Sequence, residues 1–154
     1  MNLTAKSRYA VTAMLDLAAQ KKEKPVSLAD ISRRQEISLS YLEQLFAKLR
    51  KNGLVTSIKG PGGGYVLARS ADTVSVADIV DSVDENVDVT RCSGKGNCQK
   101  GAVCLTHQLW SEFSVEIRNY LSSINLESLN DTEHVKRVMI RQESKQGPEL
   151  VFQV

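Results

Sequence analysis

The sequence predicts a mainly α-helical fold with one small β-hairpin, in a chain of 154 residues. Apolar residues recur every three or four positions over most of the first 50 residues and again beyond Thr106, which is typical of amphipathic helices. Between these regions, two short alternating segments, 54–58 and 65–68, flank a glycine-rich stretch and predict a hairpin. A hydrophobic content of 42% is sufficient for one compact domain with an appendage.

Two helices are expected before residue 36. The first extends from about Ser7 to Ala19, because its apolar residues return at helical spacing. The second begins at Ser27, whose hydroxyl can cap a helix, with Asp30 at the capping-box position, and it ends near Gln35.

A third helix follows after a short turn. Ser38 is its predicted N-cap and Gly53 its C-terminal stop. Its buried stripe is expected to consist of Leu42, Leu45, Phe46 and Leu49. Two short helices joined by a tight turn are typical of a helix-turn-helix, in which the second helix contacts base edges in DNA.

The exposed side of the third helix supports this assignment. Hydroxyl and amide groups lie towards its N-terminal end and positive charge towards its C-terminal end. The predicted DNA contacts on this helix are Ser38, Ser40, Tyr41, Glu43, Gln44, Lys48 and Lys51. An ordinary amphipathic helix would also have a polar outer face, so the helix alone does not decide the function.

The hairpin is predicted to be a wing. Its loop offers backbone N–H groups to phosphate without obstruction by side chains, and its first residue, Lys59, can enter a minor groove. The predicted wing contacts are Lys59, Gly60, Pro61, Gly62, Gly63 and Gly64. A phosphate-binding P-loop would instead end in Gly-Lys-Ser or Gly-Lys-Thr before a helix. Residues 1–70 contain 12 Lys and Arg against 5 Asp and Glu, which favours a polyanion as partner and predicts a DNA-binding domain.

The three cysteines lie within thirteen residues, in the pattern Cys-x5-Cys-x5-Cys-x2-His. Cys92, Cys98, Cys104 and His107 would complete a tetrahedral zinc site or supply the four terminal ligands of a 2Fe-2S cluster. Zinc-binding cysteines are usually two to four residues apart. The wider spacing favours a cluster and leaves zinc open. Free thiols or a disulfide fit an odd number of cysteines in one glycine-rich segment less well.

Residues 71–129 are expected to carry this loop and the dimerisation helices. A short helix begins at Ser75, where Asp78 completes a capping box. A long helix begins near Thr106, and its apolar residues advance by three and four positions, as in the seam of a helix pair. The predicted seam consists of Trp110, Phe113, Ile117, Tyr120 and Ile124. Packing within one subunit is the alternative to a homodimer.

The apolar periodicity is lost beyond Leu129, so residues 130–154 are predicted to form a polar, mobile tail. The chain has no run of about 18 apolar residues, and Asp16 interrupts the only N-terminal stretch that resembles a signal sequence. A cytoplasmic protein without a membrane segment is therefore expected. No nucleophile and base set or carboxylate pair is recognisable, which predicts a protein that is not an enzyme.

Together these motifs resemble the IscR family of bacterial iron-sulfur cluster regulators. The resemblance extends from Met1 to about Leu129. It rests on Arg8-Tyr9-Ala10-Val11, the segment from Ile37 to Leu45, the segment from Gly60 to Tyr65, and the three cysteines with His107. The chain departs from the family at Lys59, where arginine is more common, and lysine lacks the planar fork of arginine.

The resemblance implies a homodimeric winged-helix transcription factor that binds a double-stranded DNA operator. It implies a 2Fe-2S cluster on Cys92, Cys98, Cys104 and His107, delivered by the iron-sulfur biogenesis machinery, and repression or activation of iron-sulfur biogenesis and related genes. Two other functions remain open: a zinc-stabilised DNA-binding regulator, and a small iron-sulfur electron carrier, which would have no use for a basic helix-turn-helix.

Overall fold

The computed structural model describes residues 3–20 and 24–152. These form, in order, α1 (Ala5–Ala19), α2 (Leu28–Gln35), α3 (Leu39–Lys51), β1 (Val55–Ile58), β2 (Gly64–Leu67), a single 3-10 turn (Ala71–Thr73), α4 (Val76–Ser82), α5 (His107–Ser123), α6 (Leu126–Asn130) and α7 (Glu133–Phe152). The two strands pair antiparallel, with Val55 opposite Leu67. No helix in the described ranges is both long enough and apolar enough to span a membrane.

The predicted caps of α2 and α3 are confirmed. Ser27 Oγ accepts a hydrogen bond from the backbone N–H of Asp30 at 3.1 Å, and Ser38 Oγ accepts one from Tyr41 at 3.4 Å. The end of α3 has the double hydrogen bond of a Schellman motif, in which Gly53 adopts a left-handed φ of 76°. The predicted fold class, mainly helical with a hairpin wing, is therefore confirmed.

One hydrophobic core joins the first helices to later parts of the chain. Its fully buried side chains come from α1, α2, α3, β1, α4, α6 and the segment before α4, and include Met14, Ile31, Leu42, Phe46, Leu49, Val55, Val74, Ile79 and Leu126. The ring of Phe46 lies 4.9 Å from that of Tyr65, which fastens α3 to β2. The core thus includes residues on both sides of the predicted domain boundary at residue 70. The division into domains stays a prediction.

Asp16 holds α2 against α1. Its carboxylate is fully buried and accepts two hydrogen bonds from Arg34, at 2.9 and 2.7 Å, and a third from Gln35 at 2.7 Å. The hydrogen bond to Asp16 raises the pKa of Arg34 against the opposing effect of burial. Removal of one partner from a buried ion pair costs about 3–5 kcal/mol, because the other charge is left without compensation.

A further helix follows Leu129 in the structure. Helix α7 extends from Glu133 to Phe152 where the sequence predicted a polar, mobile tail. Over residues 133–144, where the burial of its side chains is described, the half-buried ones are Val135, Val138, Met139 and Gln142, which recur at the spacing of one helix face. Gln142 is polar, so the apolar part of this face is limited to Val135, Val138 and Met139. Gln153 and Val154 lie outside the described residues.

The predicted apolar seam of α5 is divided in the structure. Ile117 and Ile124 pack inside their own subunit, in a small core with Val76, Val80 and Val87. By contrast, Trp110, Phe113 and Tyr120 are 41%, 46% and 66% exposed. At 100° per residue the five positions span about 80° around the helix axis, so they share one face, which packs on the small core at the two isoleucines and is exposed at the aromatic residues. The role of the seam in dimerisation stays a prediction.

Glu85 fastens the end of α4 to the start of α1. Its buried carboxylate accepts hydrogen bonds from the Thr4 backbone N–H at 3.3 Å and from the hydroxyls of Thr4 and Ser7. Burial alone would raise the pKa of Glu85, but these hydrogen bonds outweigh it and lower the pKa below its ordinary value. The negative charge also lies at the positive end of the α1 dipole.

Because the folded pKa of Glu85 is lowered, its contribution to stability is present above the ordinary carboxyl pKa and lost as pH falls through the folded pKa. We expect Glu85→Gln to lower the free energy of unfolding by about 1–3 kcal/mol at pH 7, with a smaller difference at pH 3. Chemical denaturation at both pH values measures this, with Glu127→Gln at an exposed position as control. A difference that does not change with pH would contradict the assignment.

Candidate metal centre and nucleic-acid interface

Three of the four predicted metal ligands converge in the structure. The Sγ atoms of Cys92 and Cys98 lie 3.5 and 3.6 Å from Nδ1 of His107. The ligand atoms of these three residues all lie within 4.8 Å of one another. They meet because His107 is the first residue of α5 and the cysteine loop folds back over that end of the helix.

Cys104 lies beside this group of three and outside it. Its backbone N–H donates to Cys98 Sγ at 3.0 Å, and its own Sγ is 3.9 Å from the hydroxyl of Thr106. All three cysteines are free thiols. The fourth predicted ligand is therefore adjacent to the site, and its side chain also hydrogen-bonds with that of Cys98.

The loop is held by polar side chains that sequence reasoning missed. Asp88 accepts a hydrogen bond from the backbone N–H of Thr90 at 2.7 Å, and the hydroxyl of Thr90 accepts one from Gly94 at 2.7 Å. Ser114, on α5, accepts one from Val89 at 2.8 Å. An Asp-x-Thr sequence before a cysteine is a turn signal that could have identified the first of these contacts. The contact to Ser114 has no local signal.

The thiols differ in acidity. Burial acts to raise the pKa of Cys92, but hydrogen bonds from the Gly96 backbone and from Thr90 outweigh it and lower this pKa to about 6. Burial raises the pKa of Cys98. The hydrogen bond with Cys98 lowers the pKa of Cys104. Since metals bind thiolates, Cys92 is the thiol best prepared to bind a metal at neutral pH.

An open groove at the start of α3 is lined by the predicted base-contacting residues Ser40, Tyr41 and Gln44, and Glu43 lies outside its lining. Ser40, Glu43 and Gln44 are exposed and Tyr41 is half-buried, whereas Ser38 uses its hydroxyl as the helix cap. Sequence reasoning missed Tyr9, which lines the same groove from α1. Its ring meets that of Tyr41 edge to face, with centroids 5.7 Å apart.

The wing depends on Gly63 and Gly64 for its shape. A Cβ atom on Gly63 would lie 2.2 Å from the carbonyl oxygen of Ile58, and one on Gly64 would lie 2.4 Å from that of Val26. Both distances are far below van der Waals contact, so only glycine fits. Lys59 is exposed at the start of the loop, where the sequence predicted it.

The two predicted phosphate contacts on α3 differ in the structure. Lys51 is exposed, but the Nζ atom of Lys48 lies 2.9 Å from a carboxylate oxygen of Asp84. The hydrogen bond from Lys48 lowers the pKa of Asp84. Asp84 lies between α4 and the cysteine loop, so this ion pair connects α3 to the segment that leads to Cys92.

Comparison with known proteins agrees with this geometry. Residues 3–132 match the Rrf2 family, described as iron-dependent transcriptional regulators. The chain belongs to the Rrf2 family. It is 59% identical over 144 residues to the HTH-type transcriptional regulator IscR of Xenorhabdus nematophila, which covers 94% of this chain and 88% of that protein.

Two solved Rrf2-like structures resemble the fold. IscR of T. potens has a TM-score of 0.70 and 38% identity, and the match covers 87% of this chain and 90% of that one. CymR, the global cysteine regulator of B. subtilis, has a TM-score of 0.70 and 32% identity, covering 84% and 95%. The predicted winged-helix class and the resemblance to IscR are confirmed. This Rrf2 protein is a DNA-binding transcriptional regulator and not an enzyme.

The ion pair between Lys48 and Asp84 generates a prediction. We expect Asp84→Asn to raise the affinity for DNA of any sequence by about two- to fivefold, because Lys48 then faces phosphate without a competing carboxylate. Filter binding at two salt concentrations measures the effect. Asp131→Asn, which removes the same charge from another exposed position, is the control. An equal gain in both variants would show only a change in net charge.

Proposed function

We propose that this Rrf2 regulator senses iron-sulfur cluster status through a 2Fe-2S cluster held by Cys92, Cys98, Cys104 and His107. As a homodimer in the cytoplasm, it represses or activates iron-sulfur biogenesis and related genes at palindromic operators. The observation that supports this most directly is the convergence of two thiols on the His107 imidazole, in a family described as iron-dependent.

The donor set fits a cluster. Three thiolates and a neutral imidazole are suitable terminal ligands for two irons, and the wide cysteine spacing favours them over a compact zinc site. The exposed cations Arg91, Lys95 and Lys100 surround the loop and would offset the negative charge of bound thiolates. When bound, the cluster supplies a one-electron couple and iron that can be lost, and the imidazole ligand raises the reduction potential.

The surface beside the ligands supports delivery by a cluster donor. Leu105, next to Cys104, is 99% exposed, and Val103 is 59% exposed. Apolar side chains in full contact with water are suited to transient docking of another protein. We therefore assign this loop surface to contact with the iron-sulfur biogenesis machinery during cluster transfer.

The DNA contacts proposed for each subunit are the ones that the sequence predicted. Ser40, Tyr41, Glu43 and Gln44 would contact base edges, with Ser38 as helix cap, Lys48 and Lys51 on phosphates, and residues 59–64 in the minor groove. One recognition helix per subunit requires a dimer to contact both halves of a palindrome, about one helical turn or 34–36 Å apart.

We assign the dimer contact to an exposed apolar stripe on α5. It consists of Leu109, Phe113 and Tyr120, which are 56%, 46% and 66% exposed. At helical spacing these three lie within about 40° of one another around the axis. Two hydrogen bonds from Arg118 to Asp81, at 2.9 and 2.6 Å, fix the opposite side of α5 on α4, so the stripe faces outward.

The dimer assignment predicts that Phe113→Asp gives a monomer that no longer binds a two-fold symmetric operator, because a charge would be buried between the two copies of α5. Analytical ultracentrifugation measures the mass. Val115→Asp is the matched control, since Val115 is 54% exposed on another side of the same helix. A Phe113→Asp dimer, or a wild-type monomer, would refute this interface.

The cluster assignment predicts that His107→Ala greatly reduces cluster loading. The other histidine, His134, is exposed on α7, so His134→Ala is a control that should load normally. Anaerobic reconstitution, visible spectroscopy and analysis of iron and sulfide measure the loading. Equal loading of both variants would exclude His107 as a ligand.

The same measurement separates the two metals. A colourless wild-type protein that retains one zinc per chain, with DNA binding independent of iron supply, would support the zinc-stabilised regulator and exclude a cluster. DNA binding that weakens as salt is raised distinguishes both regulators from an electron carrier.

A further inference from the structure

We propose that α7 clamps the helix-turn-helix, and that Gln142 is a positioning residue for the DNA-contacting helix α3. The clamp is the pair of side-chain amides of Gln142 on α7 and Gln35 on α2. The proposal rests on the proposed DNA contacts of α3 and does not depend on which metal the cysteine loop binds. It can therefore fail while cluster sensing holds.

The two amides bind each other reciprocally. Nε2 of Gln142 donates to Oε1 of Gln35 at 2.9 Å, and Nε2 of Gln35 donates to Oε1 of Gln142 at 2.9 Å. The second hydrogen on Nε2 of Gln35 is available for Asp16, whose carboxylate accepts at 2.7 Å. Since both side chains are half-buried, the pair fixes the distance and the orientation of α7 against α2.

The position of the pair connects it to DNA recognition. Gln35 is the last residue of α2, and only three residues separate it from α3. The first of them, Glu36, has a left-handed φ of 56°, and the next, Ile37, is 4% exposed and hydrogen-bonded to Ser32 through its N–H. A turn held in this way transmits a displacement of Gln35 to the start of α3.

Both ends of the clamp are anchored. Before α7, the backbone N–H of Leu126 donates to Val74 at 3.1 Å, and Leu126 is fully buried in the main core. At the other end, Glu143 acts electrostatically on Arg34, which Asp16 already binds. Helix α7 thus extends from the main core to the end of α2, and it restricts the helix-turn-helix there through side chains.

The expected effect follows from the fraction of molecules that are competent to bind. If the clamp keeps α3 in the arrangement that contacts bases, its loss lowers the competent fraction and weakens apparent affinity by that fraction. We expect about a three- to tenfold decrease, which corresponds to about one net hydrogen bond, because water partly replaces the lost partner of each amide. Phosphate contacts tolerate small shifts of α3, so non-specific binding should change by less than about twofold.

The test compares Gln142→Ala with wild type on two duplexes of equal length. One is selected by the wild-type protein from a random library, and the other is an unrelated sequence. We expect the ratio of the two affinities to fall three- to tenfold in Gln142→Ala. Ile140→Ala, at a 64% exposed position on the same helix, is the control and should keep the ratio.

Gln142→Met retains the side-chain volume but lacks the amide. It should lower the affinity ratio as much as Gln142→Ala does, because the amide hydrogen bonds position α3. Gln35→Ala combined with Gln142→Ala should cost less than the sum of the two single losses. Hydrogen exchange of residues 36–38 should accelerate in both Gln142 variants. An unchanged ratio in both variants, equal losses on both duplexes, or additive losses would overturn the proposal.

Discussion

The buried carboxylate of Asp16 is the constraint on which the arrangement of the DNA-binding surface depends. Leu17, beside it, and Met14 fill the core, while Asp16 accepts from Arg34 and Gln35 at the end of α2. A buried charge requires partners in one geometry. The apolar core could accept several rotations of α2, but this hydrogen-bonded set accepts one. The turn that follows Gln35 and the start of α3 are therefore placed by a polar interaction inside an apolar core.

A second polar connection ties the metal loop to the same surface. The segment after α4 contacts the start of α1, where Glu85 accepts hydrogen bonds from Thr4 and Ser7. It contacts α3 through the ion pair of Asp84 with Lys48. Seven residues after Glu85 the chain reaches Cys92. The first candidate metal ligand, Cys92, is thus on a segment fastened to α1 and α3, whereas the candidate ligand His107 belongs to α5.

Local signals account for what the sequence predicted well. Caps at Ser27, Ser38 and Ser75, the glycine end of α3 and the glycine-rich hairpin act within a few residues, so their patterns are visible in the chain. The convergence of Cys92, Cys98 and His107 followed from their spacing. The pairing of Asp16 with Arg34 and the contact of Tyr9 with Tyr41 depend on distant partners, for which one sequence holds no signal. The packing of Ile117 and Ile124 from the predicted α5 seam on Val76 and Val80 of α4 likewise depends on a partner distant in the chain.

In the proposed function, the candidate ligands belong to two parts of the fold, and this division would allow metal binding to affect DNA binding. Cys92 follows the segment held by α1 and α3, and His107 begins the helix that carries the exposed stripe Leu109, Phe113 and Tyr120. A metal centre held by both residues constrains the distance between the recognition helix and that stripe. In a dimer formed through the stripe, this distance sets the separation of the two recognition helices. Occupancy would therefore change which operator spacings fit, even though each base-contacting residue keeps its own surroundings.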